Sequence, residues 1–313
     1  MPALPEPAPR ADSVLPDPAP QHPLRVDSPR VDSPLDDALI DDSIPFVAVD
    51  DELEPHQRWS TWDDIGVLAG PEPWPDWLVT ESAAVDTELG ILKTGKEADV
   101  FLLERAVPAT ASGPGRGVVL AAKRYRGHDH RMFHRDAGYT EGRRMRNSRD
   151  RRAAAKGTRW GRTVEAGQWA VAEFDHLARF WSAGLAVPYP VQLDGTEILM
   201  ELVTLADGSS APRLAQTRPP RELLARYWEQ LTEALRVMAG LGLAHGDLSA
   251  FNLLATEERL VLIDLPQAVD IVGNPQGVEF LARDCRNVAT WFTARGLDVD
   301  GDALLADLLA YAF

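Results

Sequence analysis

Two motifs in the C-terminal half of the chain carry side chains that could transfer a phosphoryl group. The first is His245-Gly-Asp-Leu-Ser-Ala-Phe-Asn252, and the second is Leu260-Val-Leu-Ile-Asp264. Phosphoryl transfer needs a carboxylate that orients the attacking hydroxyl and accepts its proton, and oxygen ligands that hold a divalent metal against the phosphate. Asp247 suits the first role, and Asn252 with Asp264 suits the second.

A β-hairpin is predicted to bring these groups together. Apolar residues 253–255 and 260–263 flank the polar segment 256–259, which is the pattern of two largely buried strands joined by a turn. The Asp and Asn of the first motif then lie in the loop that enters the first strand, and the Asp of the second motif lies where the second strand ends. In the alternative interpretation these side chains only cap a turn and end a strand.

A lysine inside an apolar strand supplies a fourth group. Lys123 follows the run Val118-Val-Leu-Ala-Ala122, and a buried ammonium needs a charged partner or a ligand. The candidate partner is Glu173, in a helix predicted from Thr163, which would cap it, to Ala183. In protein kinases a Lys on a strand pairs with a Glu on the next helix and is held against the α- and β-phosphates of ATP.

The segment from Glu88 to Glu104 is predicted to form another hairpin, with Thr94-Gly95-Lys96 at its tip. A glycine at the tip lets backbone amides and Lys96 approach polyphosphate oxygens. Glycine is also ordinary in hairpin tips, so this pattern alone does not separate a phosphate-binding loop from a structural turn.

The residues from 185 onwards are predicted to form the remaining strands of the sheet first and then a series of helices. Two more strands are expected to close a small sheet and to run into a hinge, and Pro219-Pro220 is expected to begin a long amphipathic helix. The predicted strands are 185–193 and 197–203, and the predicted helices are 220–240, 277–296 and 302–311.

The composition fits a globular protein of one large or two small domains, with 313 residues of which 45% are hydrophobic. The single cysteine, Cys285, excludes an intramolecular disulfide and favours a reducing cytoplasm. Within its amphipathic helix Cys285 is expected to be a buried apolar residue rather than a nucleophile. No signal-peptide pattern and no run of about 18 apolar residues is present, so neither secretion nor a membrane contact is expected.

Two N-terminal segments differ from the rest in composition. Residues 1–50, rich in Pro, Asp and Ala, are predicted to be a disordered acidic tail. In this tail Ser28 and Ser33 each precede a proline and are candidate phosphorylation sites. In the alternative interpretation the segment is only an acidic solubilising tail. Residues 51–86 hold Trp59, Trp62, Trp74 and Trp77 and are expected to pack as an extension on the first lobe.

A basic segment stands out in a chain whose formal net charge is −16. Lys123 to Arg162 contain fourteen Lys or Arg and four Asp or Glu, and residues 124–162 are predicted to form a flexible loop. The charge of this loop could screen ATP, grip an acidic substrate or contact RNA phosphates. Alternatively, it only balances the acidic remainder.

From about Trp77 to Phe313 the chain resembles the RIO family of atypical serine protein kinases, as a bacterial member. The resemblance rests on a series of ordered motifs. They are Thr94-Gly-Lys-Glu-Ala-Asp-Val100, Lys123 in Ala-Ala-Lys-Arg-Tyr, Glu173, His245 to Asn252, Ile263-Asp-Leu-Pro-Gln-Ala268 and Phe280-Leu-Ala-Arg-Asp-Cys-Arg-Asn-Val288.

This resemblance implies an α+β fold, a trimmed two-lobed protein-kinase-like fold. Its small antiparallel-sheet N-lobe would span 87–203, and its mainly helical C-lobe would span 204–313. ATP and Mg²⁺ or Mn²⁺ are the implied cofactors. The implied site residues are Asp247 as the catalytic carboxylate, Asn252 and Asp264 as metal ligands, Lys123 and Glu173 as the phosphate-anchoring pair, Thr94, Gly95, Lys96, Glu97 and Val100 around the nucleotide, Met200 before the hinge, and the backbones of Glu201 and Val203 against adenine.

The activity implied is that of an ATP-dependent serine/threonine kinase that phosphorylates at least itself. In this family the residue matching Asp264 can also accept phosphate, so an ATPase-like cycle is implied as a possibility. Two other hypotheses stay open. One is a small-molecule phosphotransferase of the aminoglycoside or choline kinase kind, which His-Gly-Asp-Leu suits equally but the short chain after Asp264 does not. The other is a nucleotide-gated assembly factor that binds RNA or ribosomal particles through residues 124–162.

Overall fold

The computed structural model describes residues 53–65, 68–109, 115–126 and 159–313, with side chains from residue 165 onwards in the last range. The predictions for the tail 1–50, for Ser28 and Ser33, and for residues 127–158 of the basic segment lie outside the described residues. None of the described helices is both long and apolar enough to cross a membrane.

Six strands form one antiparallel sheet in the order β1-β2-β3-β4-β6-β5. Lys123 lies in β4 with β3 and β6 on either side, opposite Val100 and Ile198, so hydrogen bonds on both edges hold its strand. The strands are β1 (Gln57–Trp59), β2 (Val85–Thr94), β3 (Ala98–Ala106), β4 (Gly117–Tyr125), β5 (Pro190–Asp194) and β6 (Glu197–Glu201).

The predicted hairpin with its tip at Thr94-Gly95-Lys96 is confirmed as β2 and β3. The Gly95 N–H donates to the Ala98 carbonyl at 3.0 Å. A Cβ atom at position 95 would lie 2.7 Å from that carbonyl oxygen, so the tight tip needs a residue without a side chain.

Within the described residues, one short and one long α-helix lie between strands of the sheet in the chain, and three α-helices follow its last strand. The long helix predicted from Pro220 is confirmed, and the two C-terminal helices are confirmed with small shifts of their ends. The helices are α1 (Trp62–Ile65), α2 (Arg159–Ser182), α3 (Arg221–Gly240), α4 (Gly277–Thr293) and α5 (Gly301–Ala312).

The structure corrects both ends of the predicted loop 124–162. Arg124 and Tyr125 continue β4, because Arg124 is paired in register with Asp99 and Glu197. At the other end α2 begins at Arg159, so Thr163 lies inside the helix and the prediction that it caps the helix was wrong. No proline interrupts residues 159–163, and the helix can therefore start earlier than its apolar pattern suggested.

Two apolar clusters lie on the two faces of the sheet. The larger joins the sheet to α2, α3, α4, α5 and the residues 253–262. The smaller packs Trp62 and Leu78 against Leu103, Leu120 and Tyr189. Because β1 also pairs with β2, residues of the predicted extension 51–86 contribute both a strand and core side chains to the sheet.

Cys285 is fully buried within the larger cluster. Burial, with the nearby Asp284 carboxyl, raises the pKa of its thiol to about 12. The thiol therefore stays protonated at neutral pH, which agrees with the prediction of a buried apolar residue.

A buried ion pair ties the outer strands to the sheet. Arg105 of β3 is 0% exposed, and its guanidinium donates to both carboxylate oxygens of Asp86 at 2.6 and 2.8 Å and to Gln192 Oε1 at 2.9 Å. These bonds join β2, β3 and β5 through one side chain. Such a bidentate pair has good geometry, and each partner depends on the other because both are out of water.

We predict that Arg105→Met lowers the free energy of unfolding by about 3–5 kcal/mol, because it leaves the Asp86 carboxylate buried without its main partner. Urea unfolding measures the loss. The matched control is Arg259→Met, whose half-exposed guanidinium lies 3.5 Å from Glu201 and should cost less than about 1 kcal/mol. Recovery of stability in Arg105→Met/Asp86→Leu is expected, and equal small effects of the two single changes would contradict the role given to this pair.

Candidate active site

Lys123 joins three separate elements at one point. Its Nζ atom lies 2.6 Å from Glu173 Oε1 on α2 and 3.1 Å from Asp264 Oδ1 after the second hairpin. The predicted pair of Lys123 and Glu173 is therefore present. The contact between Lys123 and Asp264 also joins the sheet to the helical part of the molecule.

The charges of this cluster stabilise one another. Burial opposes the charged form of Lys123, but Glu173 and Asp264 outweigh it and raise the pKa of the lysine above its ordinary value. Burial also opposes the charged form of Asp264, yet the Lys123 ammonium keeps the pKa of that carboxyl below its ordinary value. At neutral pH the Lys123 ammonium and the Asp264 carboxylate are therefore both charged.

Tyr125 completes the bonding of Glu173. Its hydroxyl donates to Glu173 Oε2, so both carboxylate oxygens of Glu173 are engaged. Burial, followed by the charge of Glu173, raises the pKa of the Tyr125 hydroxyl well above its ordinary value. The sequence contained the signal for this contact, because Tyr125 lies two residues after Lys123 on the same face of β4, but the pattern assigned it no role.

The loop with Asp247 is held from below by α4. Asp284 is 0% exposed and accepts hydrogen bonds from the backbone N–H groups of Gly246 at 2.7 Å and Leu248 at 2.8 Å. Asn287 Nδ2 donates to the Leu248 carbonyl at 3.1 Å. A carboxylate among the buried residues of an amphipathic helix is a usable sequence signal, although no function was predicted for Asp284.

The hairpin predicted at 253–255 and 260–263 follows the short strand β7 (Leu243–Ala244) and is confirmed as β8 (Leu253–Ala255) and β9 (Leu260–Leu262). Just outside its paired residues, the Ile263 N–H donates to the Asn252 carbonyl at 3.0 Å. Asn252 and Asp264 therefore lie close together in space at the open end of the hairpin, one before its first strand and one after its second. The hairpin end is fixed further by His245, which is fully buried with Nε2 3.1 Å from the Ile263 carbonyl.

Asp247 and Asn252 are linked through the loop backbone. Asn252 is 6% exposed, and its Nδ2 atom donates to the Asp247 carbonyl at 2.8 Å. The bond fixes the orientation of the amide and leaves Oδ1 as its remaining polar atom. Asp247 itself is exposed, as expected for a carboxylate that must reach the hydroxyl group of a substrate.

Asp264 has an uncommon backbone conformation. Its φ is 67°, and it is the one non-glycine residue with a positive φ in the described part of the chain. A left-handed conformation at a residue with a side chain costs free energy, and such residues cluster at functional sites. Here the conformation lets the chain leave β9 while the carboxylate contacts Lys123.

A cleft of about 800 Å³ opens between the sheet and the helical part. It is bordered by most of the predicted nucleotide-site residues, namely Gly95, Lys96, Glu97, Val100, Lys123, Glu173, Met200, Glu201, Val203 and Asp264. Thr94, Asp247 and Asn252 do not line the cleft. Lys93 and Arg213 line the cleft without having been singled out from the sequence.

Two backbone groups of Glu201 and Val203 are hydrogen-bonded within the protein. The Glu201 N–H donates to the Tyr189 carbonyl at 2.8 Å, and the Val203 carbonyl accepts from the Ala211 N–H at 2.8 Å. These two groups are therefore occupied. The other backbone groups of these two residues are the Glu201 carbonyl, which is an acceptor, and the Val203 N–H, which is a donor. They are the groups that we expect to meet adenine.

The described residues contain no group of three or more His, Cys, Asp or Glu side chains spaced to hold a metal ion by themselves. The oxygens of Asn252 and Asp264 still fit Mg²⁺, which prefers hard oxygen donors and is usually bound by one or two carboxylates together with substrate phosphates and water. Asp264 Oδ1 contacts Lys123, so its Oδ2 atom is the oxygen best suited to such an ion.

Comparison with known proteins identifies the family. The family model described as the RIO domain matches residues 121–304, which is more than half of the chain. The chain belongs to the RIO family of kinases. The matched part of this RIO domain includes Lys123, Glu173, the catalytic loop and Asp264, and the hairpin tip at 94–97 lies outside it.

Two relatives share much of this RIO domain. The RIO-type serine/threonine-protein kinase Rio1 of Haloferax volcanii is 37% identical over 228 residues, which cover 73% of this chain and 71% of that protein. The serine/threonine-protein kinase RIO1 of Saccharomyces cerevisiae is 26% identical over 241 residues, which cover 71% of this chain and 47% of that protein. The alignment thus spans only about half of the yeast protein.

A solved structure is also similar to the RIO domain. It is the Rio2 kinase of Chaetomium thermophilum, in a complex described as ADP/Mg²⁺-phosphoaspartate, with a TM-score of 0.49 and 21% sequence identity. The similar region covers 72% of this chain and 62% of that one. The two-lobed α+β architecture is seen directly in this chain, with an antiparallel sheet followed by helices.

We predict that Asp264→Asn lowers the free energy of unfolding near neutral pH, because Lys123 loses one of its two anionic partners. Asn tolerates a positive φ about as well as Asp, so the loss reports the charge. The folded-state pKa of Asp264 lies below the ordinary value of 3.8, so the unfolded chain is protonated first as the pH falls. The stabilisation is therefore fully present above 3.8 and is lost as the pH falls through the lower folded-state pKa.

Urea unfolding of both proteins between about pH 7 and pH 3 measures this difference. The gap between wild type and Asp264→Asn should be constant near neutrality and should narrow once the pH falls below 3.8. A gap that stays the same at every pH would mean that the amide changes packing rather than charge pairing.

Proposed function

We propose that this RIO-family chain is an ATP-dependent serine/threonine protein kinase that phosphorylates at least itself and uses Mg²⁺. The observation that carries the proposal is the position of Lys123 between Glu173 and Asp264 at a cleft of about 800 Å³. A lysine anchored in this way can hold phosphates while a carboxylate below it faces the phosphoryl group that is transferred.

The residues divide the reaction among them. Adenine would meet the Glu201 carbonyl and the Val203 N–H at the hinge, and Lys123 would bind the α- and β-phosphates. Asp247 would orient the acceptor hydroxyl and take its proton as the hydroxyl oxygen bonds to the γ-phosphorus and ADP leaves. Bound by Asn252, Asp264 and phosphate oxygens, Mg²⁺ would neutralise the charge that develops on the phosphate.

A protein acceptor is favoured over a small metabolite by the similar proteins, because the Haloferax volcanii and yeast relatives are both named serine/threonine-protein kinases. The hypothesis of an RNA or ribosomal partner depends on the basic residues 127–158, and a cytoplasmic location depends on the single Cys285; both remain predictions from the sequence.

The implied ATPase-like cycle is kept within the proposal as a second outcome at the same site. Asp264 presents a carboxylate to the cleft, so its oxygen could accept the γ-phosphoryl group in place of a hydroxyl oxygen. A phosphoserine or phosphothreonine is stable to hydroxylamine, whereas an acyl phosphate is cleaved by it. Incubation with γ-labelled ATP followed by hydroxylamine treatment therefore separates the kinase outcome from the aspartyl-phosphate outcome.

We predict that Asp247→Ala lowers the rate of label transfer from γ-labelled ATP by roughly 10²–10⁴-fold, the usual contribution of a positioned general base. The matched control is Asp298→Ala, which removes an exposed carboxylate from the turn before α5 and should keep the wild-type rate. Both proteins should have the same unfolding midpoint in urea. Undiminished transfer by Asp247→Ala would remove this residue from the reaction.

A further inference from the structure

Two basic side chains border the cleft from opposite sides. Lys93 lies at the end of β2, next to the hairpin tip, and Arg213 follows the hinge on the helical side. The backbone of Arg213 forms a β-bridge with Leu254 of β8. Each residue is thus held by a strand that also supports predicted site residues.

Neither of these two cations is in direct contact with an acidic side chain of the described residues. In the part of the chain that the structure describes, neither Lys93 nor Arg213 makes an ion pair. Glu173 and Asp264 are engaged with Lys123. Basic side chains facing a cleft without an acidic partner are suited to bind an anion.

The electrostatics agree with this placement. Partial burial lowers the pKa of Lys93, and the Arg213 guanidinium and the Lys123 ammonium lower it further. Burial also lowers the pKa of Arg213, while both groups are attracted by the Asp264 carboxylate. The two cations are therefore close enough to repel each other and lie in the field of the residue that contacts Lys123.

We infer that Lys93 and Arg213 form a clamp, one cation from each lobe, that binds the polyphosphate of the nucleotide in the cleft. The inference rests on the proposed function, because it takes ATP as the ligand, and it adds two phosphate-binding residues to Lys123. A polyanion between the cations replaces their repulsion by two attractions, and it favours the arrangement in which the two lobes are close together.

The anion could also be a carboxylate or phosphate of the protein acceptor. The nucleotide is favoured because both cations interact with Asp264, and because the cleft that they border also contains the hinge residues Met200 and Val203. An acceptor group would have to reach into the same cleft alongside the nucleotide. The two sources differ in a measurable way, since only the nucleotide source makes binding in the absence of acceptor depend on these side chains.

The test measures the dissociation constants of ATP, ADP, AMP and adenosine with Mg²⁺ for wild type, Lys93→Ala, Arg213→Ala and the double variant. We expect each single change to weaken ATP binding by about tenfold, as for the loss of one charge-assisted hydrogen bond. The loss should become smaller from ATP to AMP and should vanish for adenosine. The double variant should bind ATP more weakly than either single variant.

Two controls separate charge from shape. Lys93→Arg keeps the positive charge and should bind ATP within about twofold of wild type, because the dominant interaction is electrostatic. Arg226→Ala removes an exposed cation of α3 that does not line the cleft, and it should leave all four dissociation constants unchanged. Adenosine binding checks that the pocket of each variant is intact.

Four outcomes would overturn the inference. If wild type binds ATP but the Ala variants bind it equally well, the clamp is wrong while the proposed function stands. If adenosine and ATP weaken by the same factor, the side chains shape the pocket and do not bind phosphate. If ATP binding is unchanged but the KM for a protein acceptor rises, the anion belongs to the acceptor. If wild type binds no ATP, the proposed function and the inference fail together.

Discussion

The structure depends on the compensation of one buried ammonium. Lys123 is 13% exposed at its side chain, and removing such a charge from water costs several kcal/mol per ion unless it is paired. Its two partners come from different parts of the chain, with Glu173 on α2 and Asp264 after β9. The pairing therefore requires the sheet, the first long helix and the second hairpin to meet at one point, and the cleft exists where they meet.

Other contacts fix the positions of site residues that do not pair with Lys123. Asp284 and Asn287 hold the backbone of the catalytic loop from α4, so a helix far along the sequence determines where Asp247 lies. His245 and the Asn252 carbonyl tie the loop to the strand end before Asp264. Preorganised oxygen atoms of this kind lower the cost of binding metal and phosphate, because little rearrangement is needed when they bind.

Much of this arrangement could be predicted from the sequence, because the informative residues lie on regular elements. The periodicity of two around Lys123 and the helical spacing around Glu173 predicted a strand and a helix, and a buried lysine needed an acid. The contact of Lys123 with Asp264 could be anticipated only as a requirement of the chemistry. No local pattern shows that residues 141 positions apart will lie 3.1 Å from each other.

The features that were missed depend on tertiary contacts. The start of the apolar pattern at Thr163 predicted a helix cap there, but α2 starts at Arg159, because helix ends are the least predictable part of an element. Neither Lys93 nor Arg213 was assigned to a motif. Their role could be inferred only from the fold, which brings β2 and the hinge segment to the same cleft. Tyr125 and Asp284 did carry signals, but their partners are set by the packing of distant elements.

The most direct test of this account is a crystal structure of the chain with a non-hydrolysable ATP analogue and Mg²⁺. The account predicts that the adenine lies at Glu201 and Val203 and that Lys123 keeps its bond to Glu173 while it contacts the α- and β-phosphates. Asn252 and Asp264 should then coordinate the metal. A nucleotide bound outside the cleft, or a Lys123 that makes no contact with phosphate, would contradict the central claim.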